Sequence, residues 1–276
     1  MSSVVAWVGV DSRGPASFYI ASDSRISWSK PKSSWDTGRK VFAVSQIPDI
    51  FGYCGDVLFP SLVLGQTCSA AEAGLLWNEG DSVESRHDVF RAVLENAFTT
   101  YPSAQQNEFT ILHASRDGHG MQARFCLWET QWTKNAGWAD RELPLPEQSA
   151  LVLAIGSGRQ VVGDWNRKWM TALDRTSRSV FSSFCDALRS GADEFSGGPP
   201  QMVGLYREKG GRSFGIVYEG SRHFQGLTVP DTSHLDAVEW RNSLFEVCDG
   251  RTMQRRGGAQ PQPRPSTLDS PLERRE

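Results

Sequence analysis

The sequence predicts an α+β fold in which two antiparallel sheets pack together with helices on both outer faces, a four-layer αββα sandwich. Three observations lead there. Period-two, β-rich runs fill the first fifty-odd positions; two separate blocks then follow the helical period, each as a pair of adjacent helices; and short strands return between and after those blocks. Strands and helices segregated in this way need each sheet's apolar face covered, which layered α+β packing supplies.

Val4 to Val10 is the first β-rich run, Asp11 to Pro15 a turn cluster, and Ser17 to Ala21 a second run, so the chain should open with a β-hairpin. Lys40 to Ser45 and Ile50 to Cys54 read as another antiparallel pair, joined by Gln46 to Asp49, where Pro48 forbids a continuous ladder. After Gly55 and Asp56 the spacing becomes helical: Val57, Leu58, Leu62, Val63 and Leu64 give one apolar face running towards Cys68. Val89, Phe90, Val93, Leu94, Ala97 and Phe98 give the next helix, stopped before Pro102. Strands resume at Phe109 to Ala114, Ala123 to Trp128 and Ala150 to Ile155; the polar stretch from Glu129 to Ser149 reads as an irregular, inserted loop. Gly156-Ser157-Gly158 leads into a helix marked by Val161, Val162, Trp165, Trp169 and Leu173, followed by one marked by Val180, Phe181, Phe184, Ala187 and Leu188. Gln201 to Tyr206, Ser213 to Tyr218 and His223 to Leu227 close the domain as strands. This gives one domain over 1–250. Beyond Arg251 the chain is poor in apolar residues and rich in Pro, Gly and Arg, which predicts a disordered C-terminal tail over 251–276.

Composition narrows the function. With 39% hydrophobic residues in 276 the chain can bury an ordinary core. A formal charge of −3 with Lys and Arg scattered argues against nucleic acid as a partner, because phosphate affinity needs clustered cations. The start MSSVVAWVGVDSRG has neither a basic leader nor a long apolar run, so a cytoplasmic protein with no membrane partner is expected. The five cysteines share no CxxC spacing and read as buried core thiols; the five histidines are dispersed, so neither a metal nor a cofactor is expected. The ten tryptophans read as packing or interface residues.

The candidate chemistry begins at the chain start. An α-amine has an unperturbed pKa of about 7.7 to 8, so near neutrality it can take a proton from an adjacent hydroxyl, and a leading Ser can act as nucleophile with its own amine as base. Ser2 qualifies once Met1 is trimmed. Four short segments give this serine a context: Ser2 to Ala6, Ile20 to Arg25 with Asp23, Gly38 to Val41 with Lys40, and Gly52 to Asp56. In this order they resemble the N-terminal half of proteasome β-subunits and the related HslV-type peptidases, N-terminal-nucleophile hydrolases. Ala154 to Gly158 looks like the family's strand-to-helix turn, and Asp193 to Gly198 like its late Asp-x-x-Ser-Gly motif, so the resemblance runs from Ser2 to about Leu227.

Carried over by position, the resemblance implies Ser2 as nucleophile, Lys40 beside it as an ammonium that lowers the hydroxyl pKa, and Asp23 holding Lys40. It implies Ser157, Asp193 and Ser196 around the terminal amine. The segment holding Cys54 and Gly55 would line the substrate cleft, with a Gly55 N–H as oxyanion donor. Each residue also has a plainer reading: Lys40 as a surface lysine, Asp23 as a turn residue, Ser157 as a helix cap, Asp193 and Ser196 as loop. Asp56 would select basic or polar groups, or cap the next helix.

Ser replaces the more usual Thr, which keeps the hydroxyl and loses one rotamer-restricting methyl. The implied activity is hydrolysis of a peptide or protein substrate through an acyl-enzyme, in a homo-oligomer, as a ring in this family, often fed by an ATP-dependent unfoldase. A catalytically silent structural subunit and a hydrolase of small amides are the alternatives.

Overall fold

Alternation along the first two strands distributes apolar side chains to both faces. In strand β1 (Ser3–Asp11), Val4, Ala6 and Val8 join one buried cluster while Val5 and Trp7 join another; in β2 (Gly14–Ser22), Phe18 and Ile20 divide from Tyr19 and Ala21 in the same way. A strand apolar on both faces has to lie inside the protein, with something packed on each side. The computed structural model describes residues 2–28, 33–78, 80–172, 176–232 and 234–268, so Met1 and Leu173 lie outside the described residues.

Along the chain follow β3 (Ile26–Ser27), β4 (Ser34–Trp35), β5 (Val41–Ala43), β6 (Asp49–Gly55), α1 (Leu58–Glu72), α2 (Val83–Thr99), β7 (Phe109–Asp117), β8 (Arg124–Thr133), β9 (Gly137–Glu142) and β10 (Ala150–Gly156). The remainder is α3 (Arg159–Ala172), α4 (Ser177–Arg189), β11 (Gln201–Tyr206), β12 (Arg212–Tyr218), β13 (Ser221–Phe224), β14 (Leu227–Thr228), β15 (Trp240–Asn242) and β16 (Val247–Cys248). The fold is α+β, with four α-helices among the described residues. One sheet runs β10-β1-β2-β11-β12-β13-β14, with β15 pairing to β12 and β16; a second runs β5-β6-β7-β8-β9; β3 and β4 form a separate pair. All pairings are antiparallel except β12 with β15.

Three large clusters make the core. One joins Val5, Trp7 and Tyr19 to Phe181 and Phe184 of α4; one joins Val4, Ile20 and Val203 to Ile50 and Leu112 of the other sheet; one joins Phe51 and Ile111 to Val63 of α1 and Phe90 of α2. Ser82 caps α2 by accepting from Ser85 N, and Thr176 caps α4 by accepting from Ser179 N. The buried side of α1 is Phe59, Val63, Leu64 and Cys68, whereas Leu58 and Leu62 are exposed. The expected apolar face therefore mixed two faces of this helix.

Two further expectations are corrected. The stretch from Glu129 to Ser149 is not one irregular loop: β8 continues to Thr133 and returns as β9, with Trp132 opposite Trp138 and both rings against Phe98. Aromatic cross-strand packing offsets the polar content that suggested a loop. Nor is the segment from Arg251 disordered as far as Leu268. Gln262 N donates to Glu246 Oε1 at 2.8 Å, Arg178 Nη2 to Gln260 Oε1 at 2.8 Å, and Arg264 Nη1 to the buried Asp186 at 2.9 Å. Hydrogen bonds to fixed partners replace apolar burial there; residues 269–276 lie outside the described residues. Among the described residues, no helix is long and apolar enough to cross a membrane.

Candidate active site

The ends of β1, β2 and β10 and the start of β5 converge on one point. The β1–β2 register pairs Val4 with Ser22, so the next residue, Asp23, falls beside Ser3 and donates its N–H to the Ser3 carbonyl at 3.1 Å. The β1–β10 register pairs Ser3 with Gly156 and brings Ser157 alongside Ser2. Gly156 has φ +92°, and a Cβ there would collide with the Ser2 carbonyl, so close approach and backbone conformation both require glycine.

Ser2, Asp23 and Lys40 are 3%, 0% and 1% exposed, which removes the surface-lysine reading of Lys40. Its Nζ donates to Ser2 Oγ at 2.7 Å, to Asp23 Oδ1 at 2.9 Å and, in a short contact, to the Arg25 carbonyl. Three ammonium protons meet three acceptors. Asp23 is equally saturated: Oδ1 also accepts from Ser3 N at 3.0 Å, and Oδ2 accepts from Arg25 N at 3.0 Å and Gly197 N at 3.1 Å. A buried ion pair is tolerable only when the remaining hydrogen-bond capacity is met in this way.

A second group adjoins the first through the Ser2–Ser3 backbone. Asp193 Oδ2 accepts from Ser157 Oγ at 2.8 Å and Ser196 Oγ at 2.6 Å. Ser196 has one hydroxyl proton and spends it on Asp193, so in its 2.7 Å contact with Ser3 Oγ it is Ser3 that donates. Ser157 Oγ also approaches the Ser2 carbonyl at 3.5 Å. All six side chains named from the sequence as catalytic thus lie in one connected cluster, joined by Ser3, which sequence reasoning had passed over.

No family model matches this chain, and no curated protein does. Among solved structures, the chain is similar to one titled Thiobacillus denitrificans BPH in complex with epoxomicin, with a TM-score of 0.47 and 17% identity, covering 75% of this chain and 99% of that chain.

A cleft of about 1110 Å³ has Cys54, Gly55, Gly156 and Ser157 among its walls, and the β1–β10 register sets the last two next to the Ser2–Ser3 backbone. Gly55 has φ +98°, and a Cβ there would run into the Glu108 carbonyl. Burial pushes the Cys54 thiol up to about 11, against the pull of Lys40, so it stays a thiol near neutrality. Asp56 serves the first turn of α1, its Oδ2 accepting from Phe59 N at 3.1 Å. Trp28 and Trp35, 55% and 51% exposed, also line the cleft from β4 and the end of β3. Their sequence context alone marks them only as packing or interface residues.

Two further residues organise the site. Arg25 forms a two-point ion pair with Asp36, Nε to Oδ1 and Nη2 to Oδ2 both at 2.8 Å, and also donates to the Glu194 carbonyl at 3.1 Å. Hydrogen bonding from the Arg25 guanidinium, with burial opposing it, holds the Asp36 carboxyl below the usual carboxylate range. Gln201, fully buried, contacts both the Asp23 and the Lys40 segments. The available signal was a lone amide opening an otherwise apolar strand directly after Pro199-Pro200. Among the described residues, no group of three or more His, Cys, Asp or Glu could hold a metal ion.

Proposed function

We propose that this chain is a proteasome-like peptidase of the N-terminal-nucleophile class, a four-layer αββα sandwich whose nucleophile is Ser2 Oγ after removal of Met1. The single observation that carries the reading is the 2.7 Å hydrogen bond from the buried Lys40 ammonium to Ser2 Oγ, with Asp23 behind it. An ammonium donating to a hydroxyl oxygen favours the developing alkoxide and cannot itself take the proton. The proton therefore goes to the freed α-amine of Ser2.

In the proposed cycle Ser2 Oγ bonds to the substrate carbonyl carbon, and the Gly55 N–H receives the oxyanion. The amine then passes the proton to the leaving nitrogen, the C–N bond breaks, and an acyl-enzyme forms. Water attacks the ester, gives its proton to the same amine, and releases the carboxylic product with Ser2 restored. Ser157, Asp193 and Ser196 orient the amine. The aromatic wall from Trp28 and Trp35 suits an extended peptide with bulky apolar side chains. We further propose a cytoplasmic homo-oligomer, a ring supplied by an ATP-dependent unfoldase, with no cofactor.

The test is intact and N-terminal mass spectrometry of the purified protein before and after a serine-reactive fluorophosphonate. The expected result is loss of Met1 and one adduct, on Ser2, that Ser2→Ala abolishes. Retention of Met1, or full peptidase activity in Ser2→Ala, overturns the mechanism. Peptide and small-amide panels then separate a peptidase from a hydrolase of small amides.

A further inference from the structure

Asp23 and Lys40 belong to different sheets. Asp23 follows β2 of the nine-stranded sheet, while Lys40 precedes β5 of the five-stranded one. The ladders inside each sheet cannot set the distance between them. That distance is an inter-sheet quantity, and inter-sheet packing of aliphatic side chains is non-directional.

Gln201 supplies direction. It opens β11 opposite Ser22 and is fully buried. Its Oε1 accepts from Lys40 N at 2.8 Å and Val41 N at 3.3 Å. Its Nε2 donates to the Gly38 carbonyl at 2.8 Å, Ser24 Oγ at 2.9 Å and the Asp23 carbonyl at 3.2 Å. The orientation of the amide is fixed by its partners. Ser24 Oγ uses its own proton on the Pro199 carbonyl at 2.6 Å and can only accept, and a flipped amide would set NH2 against two N–H groups. Backbone contact between the two segments through Gly38 N and the Ser24 carbonyl, at 2.9 Å, anchors one end; Gln201 extends that anchor two residues further, to Lys40 itself.

We propose that Gln201 is the positioning residue of this site: a side-chain brace between the sheets that fixes Lys40 against Asp23 and so aims the ammonium at Ser2 Oγ. The catalytic consequence rests on the function proposed above; the geometric one does not. A hydrogen-bonded brace is the appropriate device because a displacement of about 1 Å at a reacting group is enough to cost large factors in rate.

The experiment compares Gln201→Met, which preserves length and loses every hydrogen bond, with Val203→Ala, two residues along the same strand in the inter-sheet core. Each variant is measured for its second-order rate of Ser2 modification by a fluorophosphonate, its thermal midpoint and its crystal structure. Gln201→Met is expected to slow modification at least tenfold and to move Lys40 Nζ out of hydrogen-bond reach of Ser2 Oγ. Val203→Ala is expected to lower the thermal midpoint and change neither. The proposal is overturned if Gln201→Met reacts at the wild-type rate with Lys40 in place, or if Val203→Ala slows the reaction as much. Should Gln201→Met not fold, Gln201→Asn, whose amide falls one methylene short of Lys40 N, makes the same comparison. If wild-type Ser2 does not react at all, the proposed function fails, and the position of Lys40 in the variant structures still decides the role of Gln201.

Discussion

Lys40 Nζ stands 2.7 Å from Ser2 Oγ, and the same ammonium is held 2.9 Å from the buried carboxylate of Asp23. One cation thus links a hydroxyl to a carboxylate, and its removal has consequences for both. Lys40→Met is expected to slow Ser2 modification by about 10² to 10⁴. It also strands Asp23, costing about 3–5 kcal/mol in urea unfolding, whereas Lys40→Met with Asp23→Asn should cost less than Lys40→Met alone. A double variant less stable than the single one would contradict this account of the pair.

A second buried charge network, built on Asp49, Arg86, His87 and His113, responds to pH. His113 Nε2 bonds Asp49 Oδ1 at 2.8 Å, its Nδ1 meets His87 Nδ1 at 2.9 Å, and Arg86 Nε holds Asp49 Oδ2 at 2.8 Å. Burial pushes the His113 imidazole below its ordinary value, against the pull of Asp49. The unfolded chain therefore takes up this proton first. Stability should be full above the ordinary histidine value of about 6.5 and should fall as pH drops below it, with a slope of up to about 1.4 kcal/mol per pH unit. Burial alone would raise Asp49, but His113 and Arg86 outweigh it and hold it low, so its own contribution is lost only at more acid pH. Urea unfolding at pH 7.5, 6.5 and 5.5 checks the slope. His113→Gln should flatten it; an unchanged slope would exonerate His113.

Cys54, a wall of the cleft, should be inert. With its thiol pushed up to about 11 by burial, almost none is thiolate at pH 8. Alkylation by iodoacetamide in the native protein should be about a hundredfold or more slower than in urea, read by peptide mass spectrometry. Comparable rates in the two states would show that the thiol is activated instead.

Gly55→Ala tests the cleft backbone. The new Cβ meets a left-handed φ of +98° and the Glu108 carbonyl together, so a loss of about 1–3 kcal/mol is expected in urea unfolding. Gly80→Ala, also at positive φ with nothing within 4 Å of its Cβ, serves as the comparison and should cost less. Equal losses would mean that the Glu108 contact adds nothing.

Element types were readable wherever one period dominated. Phe90, Leu94 and Phe98 recur every four residues and form the buried side of α2; Val4 to Val8 are an unbroken β-rich apolar run and lie in β1. The reading failed where packing overrides local pattern. Leu58 and Leu62 carry the same hydropathy as Val63 and Leu64, but only the second pair turns towards β5 and β6. Around Trp132 and Trp138, polar neighbours hid a strand pair that exists because both indoles reach Phe98. His87 and His113, 26 positions apart, gave no motif, since their bond depends on α2 lying over β7.

For the candidate site, short segments were enough to name Ser2, Asp23, Lys40, Ser157, Asp193 and Ser196 as residues worth following. Residue identity and local turn chemistry are properties of a few neighbouring positions, and so are the alternation and helical period that mark out the strands and helices. Burial of Lys40, saturation of Asp23, the Ser3 link between the two groups and the brace at Gln201 are of another kind. Each is a hydrogen bond or an exclusion of water between segments up to 193 positions apart. Such contacts depend on strand register and on how one sheet sits against the other, and no local pattern encodes those distances.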